Sequence, residues 1–355
     1  MQTLRSNGHN LYFNEDGYVA LNQHLAAESY SGIFLLVDAN THEYCLQRFL
    51  QRVETDLAIE IIEIEPGETM KNVATCHEVW SILTDLGADR KSLLLNLGGG
   101  VITDLGGFVA STFKRGIDFI NIPTSLLGMV DAAIGGKNGV DLGHLKNQVG
   151  TITSPAMVLI DDGFLRTLPY NELRSGFAEM LKHGLIANQS YWTSLAHIEE
   201  LNSESVTPHI FESVKIKNEI VVEDQGESGI RKALNFGHTL GHAIESHFLH
   251  TPDKIPMLHG EAVAAGMVLE SYLSWQLGLL DFEHYAWIKQ VILRFFEKVD
   301  FTQTDVESIL ALLVHDKKNE YGQVLFALLD GIGGISINQK AGNELIYSAF
   351  GDYNS

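Results

Sequence analysis

Five of the fifteen histidines of this 355-residue chain stand within one 22-residue stretch, at positions 238, 242, 247, 250 and 259. Imidazole is the commonest metal ligand among side chains and the proton carrier closest to neutral pH, so the cluster points to metal or proton chemistry. His238 and His242 are four residues apart in a segment of helical character, which places both rings on one face. His259 follows a loop marked by Pro252 and Pro256 and precedes the next helical run, so a third imidazole can fold back over the first two. A catalytic zinc takes three protein ligands and keeps one position open, and two histidines with one carboxylate is a known set. The protease pattern H-E-x-x-H is absent, because Thr239 stands in the place of the glutamate. The carboxylate must come from elsewhere. In ELRSGFAEMLKHGLI (172–186), Glu179 lies between Ala178 and Met180, with Lys182 three residues on. A carboxylate in apolar company is costly unless it is paired or ligated, which makes Glu179 the candidate third ligand.

Two kinds of element must position these groups. GIFLLVD (32–38), LAIEIIEI (57–64), SLLLNL (92–97), IDFINI (117–122) and MVLIDD (157–162) read as buried strands, with amphipathic stretches such as NVATCHEVWSILTDL between several of them. This alternation predicts a doubly wound parallel sheet, whose ligands bind beyond the carboxyl ends of its strands. From Pro169 onward the signals are helical, with few strand signals before QVLFALL near 323. The expected fold is α/β: an N-terminal Rossmann-like domain over 1–168 and a C-terminal all-helical metal-binding domain over 169–355.

Asp38 and Asn40 follow the first strand, where polar side chains can hold a ribose or a base. After SLLLNL come three glycines and a helix; consecutive glycines let the backbone approach a pyrophosphate, and the helix N-terminus offers N–H groups and a positive dipole end. Thr103 in place of the last glycine separates this run from G-x-G-x-x-G. Residues 123–150 are too rich in glycine for a regular element and carry Asp131, Lys137, Lys146 and Asn147, residue types found in functional loops. Arg231, Asn235, His238 and His242 fall at i, i+4, i+7 and i+11, so one helical stripe is expected to carry all four.

The charge balance sharpens the reading. Lys and Arg total 24 against 45 Asp and Glu, a net charge of −21. Nucleic acid, which needs a basic footprint, is excluded as a partner. An anionic metabolite needs a local basic pocket that overrides the global field, and Arg115, Lys137, Lys146, Lys182, Lys217 and Arg231 are available to build one. No apolar run approaches the ~20 residues of a membrane span, and the first residues have no apolar signal core, so no membrane and a cytoplasmic location are expected. Cys45 and Cys76 form no C-x-x-C and read as thiols of a reducing compartment.

EPGETMK (65–71), NLGGGVITDLGGF (96–108), KRGIDFINIPTSLLGMVDAAIGGKNGV (114–140), KNQVG (146–150), FLRTLP (164–169), SGFAEMLKHG (175–184), ESGIRKALNFGHTLGHAIE (227–245) and LHGEAVAAGM (258–267) together resemble the 3-dehydroquinate synthase family of sugar phosphate cyclases. The resemblance runs from about residue 37 to about 330. It implies an NAD-binding domain followed by a helical domain, an active site in the cleft between them, and a homodimer. It places the metal, zinc with cobalt as an alternative, on Glu179, His238 and His259. It places NAD contacts on Asp38, Asn40, Glu68, Lys71, Gly99, Gly100, Val101, Asp104, Thr124, Ser125, Leu127, Lys146, Phe164 and Thr167. Substrate contacts fall on Asp131, Lys137, Asn147, Lys182, Lys217, Arg231 and Asn235, with His242 near the departing phosphate and Arg115 reaching into the neighbouring subunit's site. In that family NAD⁺ oxidises the C5 hydroxyl of 3-deoxy-D-arabino-heptulosonate 7-phosphate while the metal polarises it. Phosphate is then eliminated, the hydride returns, the ring opens, and an intramolecular aldol step closes the carbocycle.

The chain departs from the family pattern in three places. Gly334 in DGIGGISI takes the place of a phosphate-holding lysine, which puts Lys317 or Lys318 forward as substitutes. The segment between His242 and His259 is longer than is common, and DQGESG replaces D-E-R-E-S-G. Two other enzymes share the resemblance. A sedoheptulose 7-phosphate cyclase has no carboxylate to bind, whereas Lys217, Arg231 and Asn235 all stand here. A metal-dependent NAD polyol dehydrogenase has no use for the basic cluster. A third possibility, a non-catalytic binding module, does not account for an intact ligand set.

Overall fold

The structure, a computed structural model, describes residues 2–143, 145–313 and 324–355. They fall into two compact units, Met1–Pro169 and Tyr170–Ser355.

The first unit runs β1 (Thr3–Arg5), β2 (Asn10–Phe13), α1 (Asn14–Ala27), β3 (Ile33–Asp38), α2 (Ala39–Tyr44), α3 (Leu46–Leu50), β4 (Ile59–Ile64), α4 (Val73–Asp85), β5 (Leu93–Gly98), α5 (Gly100–Thr112), β6 (Asp118–Pro123), β7 (Lys137–Leu142), β8 (Leu145–Ile152) and β9 (Met157–Ile160). Among the described residues seven strands make one sheet in the order β1-β2-β9-β6-β5-β3-β4. Every pairing from β2 to β4 is parallel. The central strands are apolar on both faces because helices cover both. β5 is buried along its whole length, and each fully buried leucine there contributes roughly 1.5–3 kcal/mol. Its one polar member, Asn96, donates from Nδ2 to Asn121 Oδ1 at 2.9 Å.

Strand order fixes where a ligand can sit. The chain lays β4 on one side of β3 and then returns to lay β5 on the other. Successive connections therefore diverge past the carboxyl ends of β3 and β5, which opens the crevice that doubly wound sheets use for ligands. The glycine-rich stretch 123–150, expected to be irregular, instead forms a π-helical turn, Gly128–Ala132, and the antiparallel hairpin β7–β8. Its glycines serve close packing: a Cβ at Gly139 or Gly150 would press on the facing strand's backbone.

The second unit contains α6 (Tyr170–Ala187), α7 (Gln189–Ala196), α8 (Ser203–Glu223), α9 (His238–His250), α10 (His259–Gln276), α11 (Phe282–Phe295), α12 (Gln303–Leu313), β10 (Phe326–Leu329), β11 (Ile335–Gln339) and α13 (Asn343–Asn354). The all-helical expectation is corrected here: the described residues of this unit are helical apart from the β10–β11 hairpin, whose first strand falls within the strand signal QVLFALL. FALL (326–329) is wholly buried, and Leu329 N donates to Ser274 Oγ on α10 at 3.0 Å, so four apolar residues become a strand by docking on a helix. No helix among the described residues is long and apolar enough to cross a membrane.

Candidate active site

Three helices of the second unit, α6, α9 and α10, carry the metal-ligand candidates, and their packing explains how residues 80 positions apart in sequence converge. α10 touches both partners closely through glycine. A Cβ at Gly260 would be driven into the Ser175 backbone of α6, and one at Gly266 into the Gly237 carbonyl ahead of α9. Gly260 N also donates to Ser175 Oγ at 2.9 Å, one turn before Glu179. Gly260→Ala is therefore expected to push α10 off α6 at the residue next to His259. The expected loss is about 1–3 kcal/mol, together with weaker metal binding, read by thermal unfolding with and without added zinc.

The expected single stripe through 231, 235, 238 and 242 is not formed. Arg231 and Asn235 lie on a 3-10 turn, Ile230–Asn235; the chain then opens at Phe236, Gly237 adopts φ 77°, and α9 starts at His238. Only a residue without Cβ turns comfortably there. The buried Glu270 of α10 anchors this corner, its Oε2 accepting from Gly237 N at 2.7 Å and its Oε1 from Leu240 N at 3.0 Å. A carboxylate at a helix N-terminus is favourable, and here it fixes the direction in which His238 leaves the helix.

Around Glu179 the geometry is tight. His238 Nε2 lies 3.2 Å and His259 Nε2 3.6 Å from Glu179 Oε1, and Lys182 Nζ is ion-paired with Oε2. The His238, His242 and His259 rings are mutual neighbours, with centroids 5.2, 5.3 and 5.7 Å apart. Glu179 is completely buried, yet neither of its oxygens receives an aligned hydrogen bond among the described residues. The other ring nitrogens are occupied: His238 Nδ1 is 3.1 Å from the Phe236 carbonyl, and His259 Nδ1 is 3.3 Å from Glu245 Oε2. Both Nε2 atoms are thereby presented to the carboxylate, the orientation metal-binding histidines take when a second partner fixes their tautomer.

Electrostatics agree with the geometry. Burial alone disfavours a charged Glu179, but Lys182 and His238 hold its carboxyl well below the usual range. Burial, reinforced by Lys182, pushes the His238 pKa down to about 4, so the ring is a neutral ligand. Burial also works against charge on His259, but Glu245 and Glu179 outweigh it and push the pKa up to about 9. The two carboxylates that favour charge on His259 also favour a divalent cation beside it. Two neutral-capable imidazoles and an ionised carboxylate whose Oε1 faces both rings fit zinc or cobalt.

The long segment between His242 and His259 is held down rather than loose. His247 Nε2 lies 2.8 Å from Asp305 Oδ1, and Lys254 Nζ lies 2.7 Å from Asp305 Oδ2, which also accepts from Thr302 N and Oγ1. Asp305 thus ties α9, the loop and α12 together. The other cationic candidates sit on neighbouring elements: Lys217 is buried on α8, and Arg231 is buried on the 3-10 turn, which packs against both α8 and α6. Asp224 Oδ2 accepts from Arg231 N at 3.1 Å, Arg231 Nη1 donates to the Gln225 carbonyl at 2.7 Å, and Asn235 Nδ2 donates to Glu227 Oε1 at 2.9 Å.

In the first unit Asp38, Asn40, Gly99, Gly100, Thr124 and Ser125 stand just past the carboxyl ends of β3, β5 and β6, whereas Glu68 and Lys71 follow β4, Lys146 lies on β8, and Phe164 and Thr167 follow β9. Asp38 caps α2, accepting from Thr41 N at 2.8 Å, with Asn40 exposed beside it. Gly99 and Gly100 open α5, and Val101 and Asp104 lie in its first turns. Thr124 and Ser125 follow β6, and Leu127 leads into the π-helical turn that holds Asp131. Lys71 Nζ pairs with Asp104 Oδ2 at 2.5 Å and Lys146 Nζ with Glu68 Oε1 at 3.1 Å. Burial opposes charge on Lys71, but Asp104 and Glu68 raise its pKa, so this interior ammonium stays charged. Lys137 and Asn147 are exposed on the β7–β8 hairpin, Arg115 is exposed after α5, and Phe164 and Thr167 lie on the 3-10 turn after β9, Phe164 buried and Thr167 exposed.

A side chain does not fit at Gly334. The residue closes the β10–β11 turn, and a Cβ there would overlap the Asp330 carbonyl. The chain bends too tightly for any lysine, and Lys317 and Lys318 lie outside the described residues. The sequence reading passed over Glu245, Glu270 and Arg174, which is ion-paired with Glu261 at the start of α10. Of these, Glu245 had a signal, since it stands seven residues after His238 on the same helical face.

The family profile of the 3-dehydroquinate synthase N-terminal region matches residues 61–175, and that of the C-terminal region matches residues 176–319. A 3-dehydroquinate synthase of Parabacteroides distasonis is 43% identical over 335 residues, 94% of each chain. One from Alkaliphilus oremlandii is 37% identical over 326 residues, 90% of this chain and 86% of that one. Among solved structures, a 2-epi-5-epi-valiolone synthase from Streptomyces hygroscopicus with NAD⁺ and Zn²⁺ bound superposes with a TM-score of 0.82 at 26% identity, covering 99% of this chain and 98% of the other. A probable glycerol dehydrogenase from Sinorhizobium meliloti shares the fold at a TM-score of 0.64 and 14% identity, covering 100% of this chain and 98% of its own.

Proposed function

The chain belongs to the 3-dehydroquinate synthase family, and from that premise we propose how its residues divide the work. It is an enzyme of aromatic amino acid biosynthesis by the shikimate route, a lyase that turns 3-deoxy-D-arabino-heptulosonate 7-phosphate into 3-dehydroquinate and phosphate with NAD and a divalent cation as cofactors. We assign the cation to Glu179, His238 and His259. Bound there, it supplies Lewis-acid polarisation of a substrate hydroxyl, and the dinucleotide supplies a hydride acceptor that gives the hydride back.

The chain's own groups bind and orient. The α5 N-terminus and the Gly98–Gly100 backbone support a pyrophosphate in the crevice past β3 and β5, with Asp38, Lys71, Asp104, Thr124 and Lys146 among its polar rim. Lys182, Lys217, Arg231 and Asn235 in the second unit and Asp131, Lys137 and Asn147 in the first are assigned to the anionic sugar acid. His242, whose ring neighbours both ligand rings, is assigned to the departing phosphate, where an imidazole can hold the proton that the leaving oxygen needs. The reading extends to a homodimer in which Arg115 serves the neighbouring subunit, to the domain division at 168/169, and to a cytoplasmic location.

The observation that carries the assignment is the meeting of Glu179, His238 and His259 within ion-contact distance beside Lys182. Purified protein loaded with zinc and NAD⁺ and given the heptulosonate phosphate should release one equivalent of phosphate with no net NADH. Sedoheptulose 7-phosphate should release it far more slowly. Turnover of only the latter would reassign the substrate, and stoichiometric NADH accumulation would make the protein a dehydrogenase.

A further inference from the structure

We propose that Glu245 is a positioning residue for the metal centre, fixing the His259 ring and supplying a buried negative charge that the cation needs; this rests on the ligand assignment above. Glu245 is buried, and its Oε2 lies 3.3 Å from His259 Nδ1, on the side of the ring opposite the Nε2 that faces Glu179. His259 is the first residue of α10 and follows a loop, so its own helix does little to fix the ring. Glu245 comes from α9, the helix that also carries His238 and His242. One helix thus provides a ligand directly and sets the orientation of another ligand on its neighbour.

The two histidines are held differently. His238 Nδ1 faces the neutral Phe236 carbonyl, while His259 Nδ1 faces a carboxylate. An anionic partner draws the Nδ1 proton towards itself and makes Nε2 the stronger donor. Charge points the same way: a divalent cation would add to the positive charge of the buried Lys182, and Glu245 supplies a buried carboxylate that opposes it. Since uncompensated charge in the interior is costly, removing the carboxylate should weaken cation binding even where the fold survives.

The test is Glu245→Gln, which keeps shape and an acceptor oxygen, alongside Glu245→Leu, which removes both. Zn²⁺ and Co²⁺ dissociation constants are measured by chelator competition on the purified full chain, with the visible spectrum of the Co²⁺ form and thermal unfolding of the metal-free protein. About 10- to 100-fold weaker binding is expected for Gln and more for Leu, with an altered Co²⁺ spectrum in the Leu variant and, for Gln, a loss of metal-free stability smaller than the loss of metal-binding free energy. Wild-type constants and spectrum in the Gln variant would overturn the proposal. So would an affinity loss matched by an equal loss of metal-free stability, which would make Glu245 a packing residue. If the unaltered chain itself bound no Zn²⁺ or Co²⁺, the ligand assignment would fail instead, so the two failures are distinguishable.

Discussion

Glu179→Gln and His238→Ala are each expected to lose stoichiometric zinc and to lower kcat/KM by about 10³-fold or more, since several kcal/mol of charge stabilisation disappear with the cation. The two substitutions should differ in stability. Lys182 is 1% exposed and paired with Glu179, so the glutamine variant leaves an ammonium buried without its counter-charge. Breaking such a pair from one side costs about 3–5 kcal/mol. His238→Ala leaves that pair intact and removes a ring whose Nδ1 faces the Phe236 carbonyl and whose Nε2 faces Glu179. The metal-free Tm should therefore fall further for Glu179→Gln, although both variants end equally short of metal. Zinc content by elemental analysis, unfolding curves of chelated protein and initial rates of phosphate release provide the three readouts. One full equivalent of zinc retained in both variants would show that other residues hold the cation.

Much of the first unit was legible because the central strands of its sheet are buried on both faces; β4, also expected to be buried, is an edge strand with Glu60, Ile61 and Glu63 exposed. β3, β5, β6 and β9 are short, continuous apolar runs, and nothing but a parallel sheet covered by helices asks for such runs in alternation with amphipathic segments. β1 and β2 gave no such signal. β1 is only three residues and partly exposed, and β2 is ordered by pairing with β9, about 147 positions later. The β7–β8 hairpin was hidden by its glycines, which are needed where two backbones press together and read as irregular when the partner strand is unseen.

In the second unit the histidine spacing showed which side chains share a face, and Glu179 stood out as a carboxylate among apolar neighbours. The corner before α9 was not legible. A stripe drawn through 231, 235, 238 and 242 assumes unbroken helix, and what breaks it is a distant carboxylate, Glu270, that captures the Gly237 and Leu240 amides. The same holds for the Asp305 anchor on the 251–258 loop. Contacts that join residues 30 to 60 positions apart leave no periodicity, so the sequence names the reacting groups more readily than the groups that aim them.

Arg231→Ala is expected to lower kcat/KM for the heptulosonate phosphate by about 10²-fold or more, with the metal content unchanged. Arg231 is 3% exposed, and its backbone is tied to Asp224 while one guanidinium nitrogen is tied to the Gln225 carbonyl. Such a side chain is aimed before substrate arrives, so its planar fork meets a carboxylate with little ordering left to do. Truncation leaves the substrate carboxylate desolvated and unpaired, which is the larger part of the penalty. Arg231→Lys keeps the charge but not the fork and should recover only part of the loss. The comparison that isolates the carboxylate is the ratio of rates on heptulosonate phosphate and on a 7-phosphate lacking the acid. Truncation should collapse that ratio towards one, because only the substrate with the acid loses its partner. An unchanged ratio would move carboxylate recognition to Lys217 or Asn235, the other polar side chains assigned to the sugar acid on α8 and the 3-10 turn.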